Sequence, residues 1–192
     1  RWTGAAWATE VVDGGGDVGR WSSLALDGMG FAHISYYDAT NGDLKYARWT
    51  GASWDIQTVD GAAADVGKYG SLALGAAPSD RGPYISYYDA TNGDLKYARW
   101  KGIGNGWDVR VVASAGDVGG YTSIALSYDR PVIAYYDWTN SQILFAELHA
   151  SGNWLTSVEE TVGGGRLYCC QTSLAIDASG FRHLTYYDFR NQ

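Results

Sequence analysis

The tripeptide Tyr-Tyr-Asp occurs four times in this chain of 192 residues and divides the sequence into similar units. The copies end at Asp38, Asp89, Asp137 and Asp188, so consecutive copies lie 51, 48 and 51 residues apart. A repeat of about 50 residues with strand-like content is typical of a β-propeller or a related repeat array. The repeat therefore constrains the architecture far more than it constrains the function.

Each unit contains short stretches with the length and composition of β-strands, bounded by Gly, Asn or Asp. Asn41-Gly42 and Asn92-Gly93 are strong signals for hairpin turns, because both residue types tolerate the positive φ of a tight turn. No segment keeps a 3.6-residue apolar period over three turns, which argues against helices. The sequence therefore predicts an all-β fold in which each unit is an antiparallel sheet of four strands.

The two ends of the chain complement each other in this pattern. Arg1-Trp2-Thr3-Gly4 matches residues 48–51, and residues 7–12 match residues 54–59, whereas the fourth unit stops at Gln192 before its third strand. We therefore predict a single domain over residues 1–192, a four-bladed β-propeller whose last blade is closed by N- and C-terminal strands. The predicted repeats are residues 21–60, 69–112, 121–162, and 171–192 together with 1–13. About five residues, equivalent to residues 43–47, are absent from that last blade.

Charge and composition narrow the range of partners. The chain has 14 Lys and Arg against 21 Asp and Glu, a formal net charge of -7. Since phosphate binding needs clustered basic side chains, we expect no nucleic-acid partner. No apolar run has the 18 or more residues of a membrane span. Aromatic residues make up 15% of the chain, which is high for an ordinary globular protein and leaves rings for ligands.

One aromatic position recurs just before the first strand of three units. Trp21, Tyr69 and Tyr121 occupy it, with Arg20 and Lys68 beside two of them. In a closed ring these residues surround one mouth of the central channel, and aromatic rings beside polar groups form sugar-binding surfaces. The alternative is that the rings plug the channel and pack blade against blade. The fourth unit carries Gln171 at this position, which completes the candidate ligand-binding set.

The fourth unit also contains two adjacent cysteines, Cys169 and Cys170. Consecutive Cα atoms lie about 3.8 Å apart, below the usual separation in a disulfide, so a bond between them would form a strained eight-membered ring. Such a vicinal disulfide would be stiff and, in an oxidising compartment, could form the floor of a ligand pocket. Two free thiols and two intermolecular bridges are the alternatives.

The aspartates that end the Tyr-Tyr-Asp motifs are the weak candidates for a cation site, such as a structural calcium site. A ring of four carboxylates could hold a cation if all of them faced one axis. Each of them directly precedes a hairpin turn, however, so we favour a structural role in which the carboxylate accepts backbone N–H bonds. We therefore expect no cofactor. The four residues are Asp38, Asp89, Asp137 and Asp188.

Candidate catalytic groups are few. His33 and His183 occupy matching strand positions, where a core role is favoured over chemistry. No Ser-His-Asp arrangement, metal-ligand spacing or phosphate loop stands out. The sequence therefore predicts a protein that is not an enzyme.

The repeat resembles those of secreted bacterial β-propeller-like proteins of largely unassigned function. The motifs that carry the resemblance are Ser-Leu-Ala-Leu-Asp, then His-Ile-Ser-Tyr-Tyr-Asp, then Gly-Asp-Leu-Lys-Tyr-Ala-Arg-Trp. The resemblance covers nearly the whole chain and implies a propeller and secretion. Four units of this length are also similar in size to hemopexin-like four-bladed propellers, whose motifs differ, so that similarity implies architecture alone.

Two functional hypotheses follow. The first is an extracellular recognition module that binds a glycan or cell-surface polymer in the manner of a lectin, with equivalent sites adding avidity. The second is a structural subunit of an extracellular fibre, sheath or surface layer. In that case a strand from the next copy completes the fourth blade and gives a homo-oligomer or filament. A glycan-processing enzyme, or an accessory module of one, is a third and weaker hypothesis. Adjacent cysteines, few lysines and net acidity favour an extracellular location, with any secretion signal outside this numbering.

Overall fold

Antiparallel sheets of four strands make up most of the described chain. The computed structural model describes residues 1–75, 82–162 and 171–187. Strands β1 to β4 form the first sheet, β5 to β8 the second and β9 to β12 the third, while β13 and β14 form a two-stranded fourth sheet. No helix in these residues has the length and apolar character that a membrane crossing needs. The strands are β1 (Val18–Leu26), β2 (Ala32–Asp38), β3 (Asp43–Trp49), β4 (Trp54–Asp60), β5 (Val66–Leu74), β6 (Pro83–Asp89), β7 (Asp94–Trp100), β8 (Trp107–Ala113), β9 (Val118–Ser127), β10 (Arg130–Asp137), β11 (Gln142–Leu148), β12 (Trp154–Thr161), β13 (Ser173–Ile176) and β14 (Arg182–Thr185).

In each of the three four-stranded sheets, the hairpin between the second and third strands is held by the last residue of the Tyr-Tyr-Asp motif. Asp38 pairs with Asp43, so the loop has four residues rather than the two of a tight turn. The Asp38 carboxylate accepts the backbone N–H groups of Thr40 (3.0 Å) and Asn41 (3.1 Å) and the Asn41 side-chain amide (2.8 Å). Gly42 alone in this loop has a positive φ, 77°. The same three bonds recur at Asp89, and Asp137 accepts two bonds from Asn140.

The sheets pack face to face in the order of the chain. Leu44, Tyr46 and Val59 of the first sheet form one apolar cluster with Leu72 and Ile85 of the second. The inner strands β1, β5 and β9 contribute most of the contacts between sheets. At each of these junctions a serine on the inner strand accepts an N–H bond from the inner strand of the next sheet. The three bonds are Leu72 N–H to Ser23 Oγ (3.0 Å), Ile124 N–H to Ser71 Oγ (3.2 Å) and Leu174 N–H to Ser123 Oγ (2.9 Å).

Glycine allows the closest backbone approach between sheets. A Cβ on Gly67 would lie 2.8 Å from Leu44 Cα, and a Cβ on Gly119 would lie 2.7 Å from Leu95 Cα. Both glycines also have a positive φ, 104° and 101°, which side chains disfavour. The inner strand of one sheet therefore lies directly against the third strand of the preceding sheet at these two glycines.

The predicted all-β fold of four-stranded antiparallel repeats is confirmed, but the predicted closed ring is not formed. Leu24 on β1 is 65% exposed, whereas its equivalents Leu72, Ile124 and Leu174 are buried. Among the described residues, the N-terminal segment adds no strand to β13 and β14. Trp2 instead pairs with Trp7 in an isolated bridge. A blade count of four and a single domain over residues 1–192 stay predictions.

Asp13 fixes the N-terminal segment against the first sheet. Its carboxylate accepts bonds from Tyr36 Oη (2.7 Å) and Lys45 Nζ (2.5 Å). Asp60 makes the same two bonds with the second sheet, to Tyr87 Oη (2.6 Å) and Lys96 Nζ (2.5 Å). The N-terminal segment thus occupies the place of the outer strand of a preceding sheet, and the β13–β14 sheet lies at the other end of the stack.

The Asp13 contacts lead to a prediction about acid stability. The bonds from Lys45 and Tyr36 lower the pKa of Asp13 from 3.8 to about 2. A carboxyl group whose pKa is lower in the folded state stabilises the fold above its unfolded pKa, and that stabilisation is lost as the pH falls. We expect Asp13 to contribute roughly 2 kcal/mol at neutral pH and to lose this contribution between about pH 4 and pH 2.

The measurement is urea unfolding of the wild-type chain and of Asp13→Asn from pH 6 to pH 2. The free energies of unfolding should converge as the pH falls through this window, because the amide cannot titrate. Curves that stay parallel over the whole range would contradict the assignment.

Candidate functional site

The three aromatic residues singled out in the sequence form a continuous row on the inner strands. The ring centroids of Trp21 and Tyr69 are 5.0 Å apart, and those of Tyr69 and Tyr121 are 4.5 Å apart. All three residues have a positive φ, of 49°, 54° and 49°, at irregularities in the strand register. A bulge aims a side chain away from its regular direction, and a positive φ is costly for an aromatic residue. The repeat thus places equivalent rings side by side.

These rings are used mainly for packing. Tyr69 also contacts Tyr88 and Trp138, with centroids 6.1 Å and 5.8 Å away, and Trp21 contacts Tyr37 at 5.2 Å. Trp21, at the open end of the row, is 37% exposed. The row therefore offers a ligand one accessible indole, that of Trp21, and not several equivalent exposed aromatic side chains.

The polar residues predicted beside the row are held by neighbouring groups. Arg20 forms an ion pair with Asp17, and Lys68 Nζ lies 2.5 Å from Asp65 Oδ2. Gln171 is exposed, two residues before β13. Both cations are therefore paired with an aspartate three residues away in their own loops.

A cleft of about 610 Å³ opens between the first and second sheets, and sequence reasoning did not find it. Its walls come from strands β2, β3, β4 and β7, from the start of β6 and from the loop that follows β7. The recurring Lys-Tyr-Ala-Arg-Trp motif was the available signal, because it places an arginine at the same position of two adjacent sheets. The side chains that line the cleft include His33, Tyr46, Arg48, Asp55, Gln57, Arg99, Trp100 and Lys101.

Hydrogen bonds fix the polar wall of the cleft before any ligand arrives. Gln57 Oε1 accepts a bond from Trp107 Nε1 at 3.0 Å, and Gln57 Nε2 donates to Asp55 Oδ2 at 3.0 Å. Asp55 lies opposite Arg48 in the pairing of β3 with β4. A chain of bonds therefore links the second sheet to the carboxylate of the first, and holds Asp55 in place.

The floor of the cleft is uncharged near neutral pH. His33 is buried, and its Nδ1 lies 2.5 Å from Tyr46 Oη. Burial lowers the pKa of His33, although Asp27, whose Oδ2 is 3.5 Å from His33 Nε2, opposes this effect. Burial likewise raises the pKa of Tyr46 well above its usual value. The histidine is thus a neutral polar group at the base of the cleft.

The opposite wall carries a guanidinium and an indole. The Arg99 guanidinium lies over the ring of Tyr84, 5.6 Å from its centroid, which holds it at the wall. Trp100 packs edge-on against Trp107, with centroids 5.4 Å apart. The cleft can therefore donate paired hydrogen bonds, accept bonds at a carboxylate and an amide, and present an aromatic surface.

The junction between the third and fourth sheets does not repeat this chemistry. Glu147 of the third sheet occupies the position of Arg48 and Arg99 and forms an ion pair with Arg182 of the fourth sheet. A paired glutamate therefore stands there in place of an arginine. The cleft between the first two sheets is chemically distinct from this junction, so the repeat does not generate equivalent sites.

In the described part of the chain, no group of three or more His, Cys, Asp and Glu is arranged to hold a metal ion. Asp38, Asp89 and Asp137 each hold a turn. Asp188 and the Cys169–Cys170 pair lie outside the described residues. The vicinal disulfide therefore stays a prediction.

Comparison with known proteins identifies the fold class. No protein-family model matches the chain, and no curated protein matches its sequence. A triple arginine-to-alanine mutant of AofleA from Arthrobotrys oligospora matches with a TM-score of 0.60 and 17% identity, over 88% of this chain and 50% of that chain. The bifunctional GH43-CE of Bacteroides eggerthii matches with a TM-score of 0.54 and 17% identity, over 87% of this chain and 22% of that chain. The chain is therefore β-propeller-like in fold, and it spans half or less of the length of these two structures.

The prediction that this protein is not an enzyme is overturned by the second of these matches. GH43-CE is described as a bifunctional protein of the glycoside hydrolase and carbohydrate esterase type, and it shares the sheet arrangement of this chain. The lack of a familiar catalytic motif was insufficient ground for the prediction, because carboxylates in a cleft come from strands that are distant in sequence.

Proposed function

We propose that this protein binds a carbohydrate in the cleft between the first and second sheets. The observation that supports the proposal is the convergence of Arg48, Asp55, Gln57, Arg99 and Trp100 on one cleft of about 610 Å³. Sugars present hydroxyl groups that both donate and accept hydrogen bonds, and C–H faces that stack on aromatic rings. Guanidinium groups donate, the carboxylate accepts, the amide does both, and the indole supplies the apolar surface.

The shared fold adds support from an independent direction. One structural neighbour carries a name that describes carbohydrate-active enzymes, although its low identity restricts the likeness to the fold. The neutral His33 and the two arginines leave the cleft with more positive than negative groups, in contrast to the net charge of -7 of the chain. Glycans with a carboxylate or sulfate therefore belong in the test beside neutral ones. An extracellular location and kinship with secreted bacterial repeat proteins stay predictions.

We expect Arg48→Ala and Asp55→Asn each to weaken glycan binding at least tenfold, since each removes a charged hydrogen-bonding partner worth about 1.5–3 kcal/mol. The measurement is a glycan array followed by calorimetric titration of the best ligand. Arg48 and Asp55 are exposed and half-buried, so neither change removes a core residue. Assay of the same glycans for released sugar, with wild type and Asp55→Asn, shows whether the cleft also hydrolyses its ligand.

The matched controls are Arg130→Ala, which removes an exposed arginine outside the cleft, and Trp21→Ala, which opens the aromatic row. Both should leave binding within twofold of wild type. A parent chain that binds no glycan would refute the proposal. If Trp21→Ala lost binding while Arg48→Ala and Asp55→Asn bound as wild type does, the glycan would bind at the aromatic row instead of the cleft.

A further inference from the structure

The face of the first sheet that precedes β1 is apolar, and the N-terminal segment covers only part of it. Leu24 and Leu26 are 65% and 62% exposed. Gly19 has the same φ of 101° as Gly119, yet a Cβ on Gly19 would meet nothing within 4 Å, whereas Gly119 lies against the preceding sheet. A cavity of about 280 Å³ remains beside it, lined in part by Val12, Val18 and Ile34. The first sheet thus retains the docking features of the second and third sheets, but no neighbouring sheet among residues 1–75, 82–162 and 171–187 covers Leu24 and Leu26.

The other end of the stack exposes the complementary surface. Ser173 and Ala175 on β13 are exposed, although they correspond to the serine and alanine that face the next sheet at every internal junction. In the first sheet these are Ser23, which accepts the Leu72 N–H at 3.0 Å, and Ala25, which packs against the apolar cluster. Ser173 and Leu24 are therefore the two halves of a fourth junction of the same kind, and one chain carries both.

We propose that a second copy of this chain docks on the open face, with its β13 against β1, and that two copies joined at both ends close a ring. The internal junctions show that these two surfaces fit, because the same contacts form three times within the chain. Such a head-to-tail contact either closes a ring or grows a filament. Two is the smallest number of separate copies in which every open surface finds a partner, because each copy carries one surface of each kind. This inference does not depend on carbohydrate binding.

The experiment measures molar mass by light scattering and sedimentation from low to high micromolar concentration. We expect wild type to reach twice the chain mass of 20.8 kDa. Leu24→Asp places a charge on the open face at β1, and Ala175→Asp places a charge on the complementary surface at β13. Each variant should therefore stay monomeric. Both positions are exposed in the single chain, so folding is preserved, and circular dichroism checks this. Leu155→Asp, at a residue 56% exposed on β12, is the matched control and should associate as wild type does.

Mixing the two monomeric variants gives the decisive result. Each retains one intact surface, so an equimolar mixture should form a dimer through a single junction, although neither variant associates alone. A wild type that stays monomeric at high concentration would overturn the proposal. Association of Ala175→Asp by itself would show a head-to-head contact and would also overturn it. Growth into filaments would overturn the closed pair of copies.

Discussion

Gly119→Ala is expected to lower the free energy of unfolding by about 4 kcal/mol. The new Cβ would lie 2.7 Å from Leu95 Cα and 3.0 Å from Leu95 N, so the third sheet must move away from the second. The positive φ of 101° adds conformational strain. Urea unfolding followed by fluorescence measures the change.

Gly19→Ala is the matched control for this experiment. Gly19 has the same φ of 101° but no atom within 4 Å of an added Cβ, so only the conformational strain applies. We expect a loss of about 2 kcal/mol when the chain is dilute enough to be monomeric. The difference between the two variants measures the cost of separating two sheets. Equal losses would show that close packing at Gly119 contributes nothing.

The second large effect concerns the ion pair between Asp60 and Lys96. Their side chains are 16% and 13% exposed, and removal of one partner of a buried pair leaves an uncompensated charge. Asp60→Ala is therefore expected to cost about 3 kcal/mol, because Lys96 loses its close partner and keeps a long contact of 3.8 Å with Asp89 and its place over the Tyr87 ring. Thermal and urea unfolding at pH 7 measure the loss.

The third sheet supplies the control for this prediction. Ala113 and Leu144 occupy the positions of Asp60 and Lys96 around the buried Tyr135, so the fold already accepts an apolar version of the junction. The double variant Asp60→Ala with Lys96→Leu should recover most of the stability that the single variant loses, because no charge is left buried. A double variant as unstable as the single one would refute this explanation.

The sheets were predictable because their determinants are local. Tyr-Tyr-Asp, Asn-Gly and the alternation in Ser-Leu-Ala-Leu recur with each unit, and each acts within a few residues of its own position. The loop at Asn41-Gly42 still differs from a two-residue turn, because the Asp38 carboxylate satisfies the N–H groups of a four-residue loop. The equivalence of Trp21, Tyr69 and Tyr121 was likewise visible in the sequence, since equivalent residues of stacked units become neighbours.

Ring closure and the cleft could not be predicted in the same way. Closure depends on the angle between successive sheets, which accumulates from many small contacts, and no motif encodes it. The cleft combines Arg48 and Gln57 with Arg99, from three strands and two units, and its ligand groups become visible only when the sheets are placed together. The wrong prediction that this protein is not an enzyme has the same origin, because it considered only motifs within single units.

The serine-to-amide bonds at Ser23, Ser71 and Ser123 have a consequence for how such chains change length. Each unit carries both the serine that accepts a bond from the next sheet and the backbone N–H that donates to the preceding sheet. A duplicated unit of 51 residues can therefore pack between two existing neighbours. Gene duplication can therefore lengthen the array in whole steps without new surface mutations. Unequal recombination between similar units would shorten the array in the same whole steps, so the repeat number can change during evolution.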